Sequence, residues 1–323
     1  MKVHFWGTRG SVPSCFSAQR YRDKLFKVLE QVQGQDLAGP DAIERFIEQL
    51  PFSLKGTYGT CTPCVEIEVD PQTYILCDAG SGLWSFGLKA HQNKKPVTYH
   101  VFLSHLHWDH VQGLPMFAVE CKAEDTLVIH ARHEETEAFL RAQMNAPGFP
   151  VTFDELPCSV IFDVRKPEEA FEAVKGFQVS TLKQRHAGDS YAYRFEKEGK
   201  AIVYATDAEH HEEELDPKDT PFVDFFKDAD LLIFDTMATV CKEMSYWGHS
   251  THCSAIMLSA WARVKKVVLF HQNPALDDEA LDQLLEDARC FRKEYFEKNK
   301  SINKGECYPQ SIIMAYDSLE LDT

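Results

Sequence analysis

Three imidazoles and a carboxylate crowd into six positions at His105-Leu106-His107-Trp108-Asp109-His110, directly after the apolar run Tyr99 to Leu103. Such a run reads as a buried strand. Neutral imidazole and carboxylate are donors that borderline divalent cations such as zinc, manganese and iron(II) accept. Where the chain leaves the strand still extended, His105 and His107 point to one side, because side chains alternate with a period of two. Asp109 and His110 are adjacent and cannot both join that pair, so they suit a second ion beside it. The alternative is a solvated loop with histidines by chance. Four ligand-type residues at this density after a core strand argue against it.

This H-x-H-x-D-H run resembles the signature of the metallo-β-lactamase superfamily. The resemblance implies a further His, a bridging Asp and a final His, each at a strand end far along the chain. His186 follows the alternating run Phe177 to Leu182, Asp207 follows the apolar run Ala201 to Ala205, and His271 closes Val267 to Phe270. Singly, each would pass for an ordinary loop residue. Together, and in the expected order, they support one ligand set. Metal one would take His105, His107 and His186, metal two Asp109, His110 and His271, and Asp207 would be shared between them. Two divalent ions (zinc, manganese or iron) so placed would acidify a bridging water toward a pKa of about 7, making a hydroxide nucleophile at neutral pH.

The elements that must position these residues follow from hydrophobic patterning. Strand-like runs form two blocks. The first holds Val3-His4-Phe5-Trp6, Cys64 to Val69, Thr73 to Cys77 and Tyr99 to Leu103. The second holds Phe177 to Leu182, Tyr191 to Phe195, Ala201 to Ala205, Leu231 to Phe234 and Lys266 to Phe270. Between them lie a short strand at Leu127 to His130 and a charged helix at Glu134 to Met144. Two strand-rich blocks, each followed by helices, suggest two sheets packed face to face with helices outside. That matches the four-layered αββα sandwich the resemblance implies, an α/β fold of two mixed sheets with the metal site at the edge between them. With no fixed-period repeat and no low-complexity linker, residues 1–323 read as one domain. Residues 17–55 interrupt the core with a helical hairpin. Leu25, Phe26, Leu29 and Val32 have helical spacing, as do Ile43, Phe46, Ile47 and Leu50, the latter run opened by Pro40-Asp41 with Glu44 as a capping-box partner. Packing or contact with a second copy is the expected use of those faces, so a homodimer is possible on this reading. A last helix runs from Asp277 to about Asn299, its acidic start and basic finish suiting the helix dipole.

Composition narrows the partners. The net charge of −16 predicts a surface that repels nucleic-acid backbones, so a long nucleic acid is not expected. No charged-then-apolar leader opens the chain, and no apolar run reaches the ~20 residues that span a bilayer, so a soluble cytoplasmic protein without membrane contact is expected. The ten cysteines are scattered. In that compartment they read as reduced and mostly buried, including the Cys61-Thr62-Pro63-Cys64 pair.

The segment Trp247-Gly248-His249-Ser250-Thr251 chooses among the chemistries such a site allows. It resembles the His-Ser-Thr motif of the phosphodiesterase branch of the superfamily, which includes ribonuclease Z and bacterial cyclic-phosphodiester hydrolases. Gly7-Thr8-Arg9-Gly10-Ser11 and Asp78-Ala79-Gly80 resemble two further motifs of that branch. The resemblance implies that His249 contacts phosphate and protonates the leaving oxygen, a step the departing alkoxide requires. Asp109 and His249 are therefore the candidate catalytic residues. Asp78 is expected to accept a hydrogen bond from a ligand imidazole and fix its tautomer. Ser250 and Thr251 are expected at the substrate, with a helix N-cap as the plain alternative. Phe149, in Met144 to Pro150, is a candidate pocket wall that could stack on a base. The expected function is a dinuclear-metal phosphodiesterase of a small cyclic substrate such as a 3′,5′-cyclic nucleotide. The alternatives are a tRNA 3′-processing endonuclease of ribonuclease Z type and a non-catalytic diiron or zinc sensor.

Overall fold

The computed structural model describes residues 1–35, 37–166, 170–217, 221–238 and 248–323. Trp247, the first residue of the His-Ser-Thr segment, lies outside the described residues. The strands run β1 (Lys2–Gly7), β2 (Cys64–Asp70), β3 (Thr73–Cys77), β4 (Thr98–Phe102), β5 (Thr126–Ala131) and β6 (Ser159–Val164). They continue as β7 (Phe171–Val174), β8 (Phe177–Gln184), β9 (Ser190–Lys197), β10 (Lys200–Ala205), β11 (Leu231–Asp235), β12 (Lys266–Phe270), β13 (Ser311–Met314) and β14 (Glu320–Asp322). They form two seven-stranded sheets, in the orders β14-β1-β2-β3-β4-β5-β6 and β13-β12-β11-β10-β9-β8-β7. The first sheet is antiparallel from β14 to β3 and parallel from β3 to β6. The second is parallel from β13 to β10 and antiparallel from β10 to β7. The last strand pairs with the first, so both ends of the chain share one sheet.

Three apolar layers hold this together. Between the sheets lie Phe5, Ile75, Phe102, Tyr204, Ile233 and Phe270 with their neighbours. Beneath the outer face of the first sheet, Leu83, Phe86, Val111, Phe117 and Leu140 come from helices Gly82–Ala90, Trp108–Val111, Leu114–Ala118 and Thr136–Gln143. On the second sheet, Phe226, Ile256, Leu258, Leu281 and Ala288 come from helices Pro221–Phe226, His252–Ala262 and Asp278–Lys298. Strands covered on both faces carry near-continuous apolar sequence, and β11 is buried at every position. The architecture is the expected αββα sandwich.

The insertion contains helices Ala18–Gln31 and Pro40–Gln49 and a short turn Phe52–Lys55. Its second helix departs from the expected cap. Pro40 takes the first helical position, where a missing N–H is harmless, so Gly39 at φ 91° becomes the N-cap and no side chain caps the helix. Helix Ala18–Gln31 buries none of its residues. Leu25, Phe26 and Leu29 face outward instead of packing on the core, and the helix is tied down by Lys24 to Asp278 and Lys27 to Glu279. No described helix is long and apolar enough to cross a membrane.

Candidate metal and catalytic site

In open α/β sheets the carboxyl ends of parallel strands are where backbone groups are freed and ligands gather. Here both sheets point those ends at the same edge. Asp78 follows β3, His105 and His107 follow β4, His186 follows β8, Asp207 follows β10, Asp235 closes β11 and His271 follows β12. Three of these residues turn the backbone sharply out of the strand: Asp78, Asp207 and His271 have φ of 62°, 50° and 56°. Left-handed backbone is uncommon outside glycine and costs roughly 1 kcal/mol or more each, and such strain concentrates at functional sites.

The side chains converge in two sets. Ligand atoms of His105, His107, His186 and Asp207 lie within 4.8 Å of one another, as do those of Asp109, His110 and His271. Asp207 stands between the sets. Its Oδ2 is 3.7 Å from His105 Nε2 and 3.6 Å from His186 Nε2, while its Oδ1 is 3.3 Å from both His110 Nε2 and His271 Nε2. His107 Nδ1 lies 3.2 Å from His186 Nε2, and Asp109 Oδ2 lies 3.2 Å from His110 Nε2 and from His271 Nε2.

The far sides of the His105, His110 and His186 rings are held. Asp78 is fully buried and accepts from Ser104 N–H (2.7 Å), Ser104 O–H (2.8 Å) and Tyr204 O–H (2.7 Å). His110 Nδ1 donates to Asp78 Oδ2 at 2.7 Å, which turns Nε2 toward the cluster. Because the Ser104 hydroxyl gives its hydrogen to Asp78, Oγ is left to accept from His105 Nδ1 at 3.0 Å. Asp78 thus orients two imidazoles, one directly and one through Ser104. His186 Nδ1 donates to the Gly248 carbonyl at 2.8 Å. A Cβ on Gly248 would stand 2.7 Å from that same nitrogen, which is why glycine precedes His249.

The glycine-bearing loops around Gly10 and Gly80 make room for the cluster. A Cβ on Gly10 would sit 2.6 Å from the His271 ring, and one on Gly80 would sit 2.4 Å from the Asp109 carbonyl oxygen. Ser11 N–H donates to Asp109 Oδ2 at 2.7 Å, and Ala79 N–H to the His110 carbonyl at 2.8 Å. His133 reaches across from the loop after β5, its Nε2 at 3.0 and 2.7 Å from the carbonyls of Gly188 and Asp189, and so clasps the turn that follows His186.

Electrostatics separates the two sets. Burial lowers the pKa of His105 and His107, with neighbouring imidazoles adding to it. On the other side burial also opposes charge, but Asp109, Asp207 and Asp78 outweigh it at His110, and carboxylates hold His271 up at about 10. Asp109 and Asp207, which burial alone would discharge, are kept ionised by His110 and His271. Buried carboxylates at this density demand cationic partners. The donor set suits divalent cations for a second reason: His105 Nε2 is fully buried and has no hydrogen-bond partner, although it points at the cluster. A bound ion would satisfy it.

Asp235 was not singled out by sequence reasoning. It is fully buried, its Oδ2 accepts from His249 Nδ1 at 2.8 Å and from Ala208 N–H at 3.2 Å, and its Oδ1 accepts from Met237 N–H at 3.0 Å. Burial works against its charge, yet His249 and His271 hold it at about 2. In return Asp235 raises His249 against its own burial. The signal was available, since Asp235 closes an apolar strand just as Asp207 follows one.

Three expected substrate contacts make hydrogen bonds or apolar contacts within the protein. Ser250 is fully buried, its hydroxyl donating to the Ala208 carbonyl and accepting from His210 N–H at 3.1 Å. Thr251 is the N-cap of helix His252–Ala262 and its hydroxyl donates to Glu212. These hydroxyls bind the loop after Asp207 to the His249 loop. Phe149 packs against the apolar layer beneath the first sheet's helices, because the turn Asn145 to Phe149 folds back onto it. Cys61 and Cys64 remain thiols, with burial raising both, and nine described cysteines are free.

Two face-to-face sheets with imidazoles and carboxylates gathered from six strand ends define a metal-dependent hydrolase of the metallo-β-lactamase fold. A family model described as the beta-lactamase superfamily domain matches residues 73–272, and the chain belongs to that superfamily. Among curated proteins it is similar to ribonuclease Z of Oceanobacillus iheyensis, 26% identical over 258 residues that cover 62% of this chain and 79% of the relative. It is also similar to ribonuclease Z of Thermoplasma acidophilum, 24% identical over 282 residues, 73% of this chain and 87% of the relative. Among solved structures, the metallo-beta-lactamase fold protein YhfI from Bacillus subtilis shares the fold at a TM-score of 0.62 and 16% identity, covering 100% of this chain and 99% of that one.

Proposed function

We propose that the protein is a phosphodiesterase using two divalent ions, and that its substrate is a small phosphodiester, a 3′,5′-cyclic nucleotide being the leading candidate. The observation that carries this reading is the position of Asp207, one oxygen turned to each imidazole set, with the Asp235–His249 pair beside it. His105, His107 and His186 would hold one ion, Asp109, His110 and His271 the other, and Asp207 both. Cations held there supply the charge that acidifies water and offsets negative charge developing on phosphoryl oxygens.

The remaining steps belong to side chains. Asp109, fixed by Ser11 N–H and kept ionised, would take a proton from an attacking water. His249 has Nδ1 committed to Asp235, which leaves Nε2 to deliver a proton to the departing oxygen. A sensor without turnover has no use for a buried acid–imidazole pair directed at its ligand cluster.

Charge supports a small substrate. The chain carries −16, and the basic residues flanking His186 are already neutralised: Lys183 by Asp189 at 2.7 Å, and Arg185 by Glu214 at 2.9 Å and Glu209 at 3.4 Å. A polyanionic backbone would find few free cations there. The second reading, tRNA 3′-end cleavage, is favoured by the names of the curated relatives. A side-by-side assay of the metal-loaded protein on cyclic mononucleotides and on precursor tRNA decides between them. Turnover of cyclic nucleotides with inert tRNA is expected. Rapid tRNA cleavage with inert cyclic nucleotides would reverse the ranking.

A further inference from the structure

Trp108 stands in the middle of the densest ligand run, yet it is 67% exposed while its neighbours Asp109 and His110 are buried. No other large apolar residue among those described is as exposed. Its position is fixed by what flanks it. His107 Nδ1 faces His186, and Asp109 Oδ2 accepts from Ser11 N–H at 2.7 Å. Val12, next along from Ser11, is itself 54% exposed. That hydrogen bond ties the loop carrying Val12 to the residue that follows Trp108. Trp108 opens the short helix Trp108–Val111, with Gln112 N–H bonded to its carbonyl.

A large exposed aromatic ring held between two residues of a buried polar cluster suits contact with a flat ligand. The residues flanking the cluster include an exposed uncharged indole next to His107 and neutralised ion pairs beside His186. A ligand whose phosphate reaches the cluster must gain its remaining affinity from an uncharged, planar part. Stacking of a base on an aromatic ring serves that need and tolerates any base, because every base has a π-face. We propose that Trp108, exposed between His107 and Asp109, is the shelf on which the nucleobase of the substrate lies. This rests on the phosphodiesterase reading and names its substrate class, a phosphodiester bearing a base.

The test uses two esters with one leaving group, the p-nitrophenyl ester of thymidine 5′-phosphate and methyl p-nitrophenyl phosphate. Metal content of each variant is measured alongside. On Trp108→Ala the ratio of kcat/KM for the thymidine ester to that for the methyl ester should fall roughly tenfold or more, chiefly through KM, and Trp108→Phe should restore most of it. Thymidine 5′-phosphate should also quench a tryptophan signal that is present in the wild type and missing from Trp108→Phe. An unchanged ratio, or quenching that persists in Trp108→Phe, overturns the shelf. If the wild type hydrolyses neither ester, the phosphodiesterase reading fails, and the quenching experiment still decides the shelf by itself.

Discussion

The Asp235–His249 pair gives the sharpest prediction, through Asp235→Asn. The carboxylate is surrounded by donors on both sides, Met237 N–H on Oδ1 and His249 Nδ1–H and Ala208 N–H on Oδ2. An amide has one accepting oxygen and one donating NH2, so in either orientation the NH2 meets a donor head-on. With the oxygen kept toward Met237, His249 must move or change tautomer, and the charge that raises its pKa is lost. An unsatisfied buried donor costs about 1–3 kcal/mol, which the fold should survive. The loss of a positioned proton donor costs about 10²–10⁴-fold in rate. That loss must depend on the leaving group. A phosphodiester releasing an alkoxide needs the proton, whereas one releasing p-nitrophenolate departs without it. Steady-state kcat on a cyclic nucleotide should therefore fall by about 10²-fold or more, while kcat on a p-nitrophenyl ester falls far less. His249→Ala should show the same pattern, and the double variant should be little worse than either single one, because the two residues act as a unit. Equal losses on both leaving groups with metal retained would refute the proton-donor role. Loss of metal on His249→Ala would instead make His249 a ligand, a role its proximity to Asp207 and His271 permits.

Two further outcomes follow from packing and burial. Gly10→Ala would place a methyl 2.6 Å from the His271 ring, so His271 must shift; metal content by elemental analysis and activity should both fall, and a fully loaded, fully active variant would show that the loop yields freely. Acid should weaken the fold through His100 and His210, both lowered by burial to about 4. The unfolded chain protonates near the ordinary value of 6.5, so stability present at neutral pH is lost as pH falls from about 6.5 toward 4. Enclosed His210, its Nε2 unpartnered against Phe222 and Phe234, should account for up to about 2 kcal/mol of the loss by pH ~5, and half-buried His100 for less. Urea unfolding of wild type and His210→Phe at both pH values checks this, and parallel losses in the two proteins would refute it.

The strands that carry site residues were readable because each is an apolar run ending in one chemically distinct residue, and burial on both faces keeps such runs uninterrupted. β6, β7, β13 and β14 were not readable for the converse reason. β6 alternates between exposed and half-buried positions at a sheet margin, leaving Ile161 and Val164 in solvent, and β14 is three residues long and is specified by pairing with β1 across the whole chain. The hairpin's helices were legible from their spacing, but spacing cannot say which surface lies opposite. The outward turn of Leu25, Phe26 and Leu29 had to be seen.

Within the site, the same asymmetry separates residues that approach the cluster from those that make room for it. A histidine or aspartate at a strand end announces its chemistry by type. Gly10 and Gly248 announce nothing, because their importance lies in imidazoles that arrive from elsewhere in the chain, His271 beside one and His186 beside the other. Ser250 and Thr251 present the opposite case. Their hydroxyls look available in the sequence, yet a loop that must bring His249 to Asp235 also has to anchor its own turns, and the nearest donors and acceptors are spent doing so. The residue types nearest a reactive group are thus divided between substrate and scaffold by local hydrogen-bond demand, and Trp108 escapes that division because an exposed indole ring, one residue from two ligands, has no such demand to meet inside the protein.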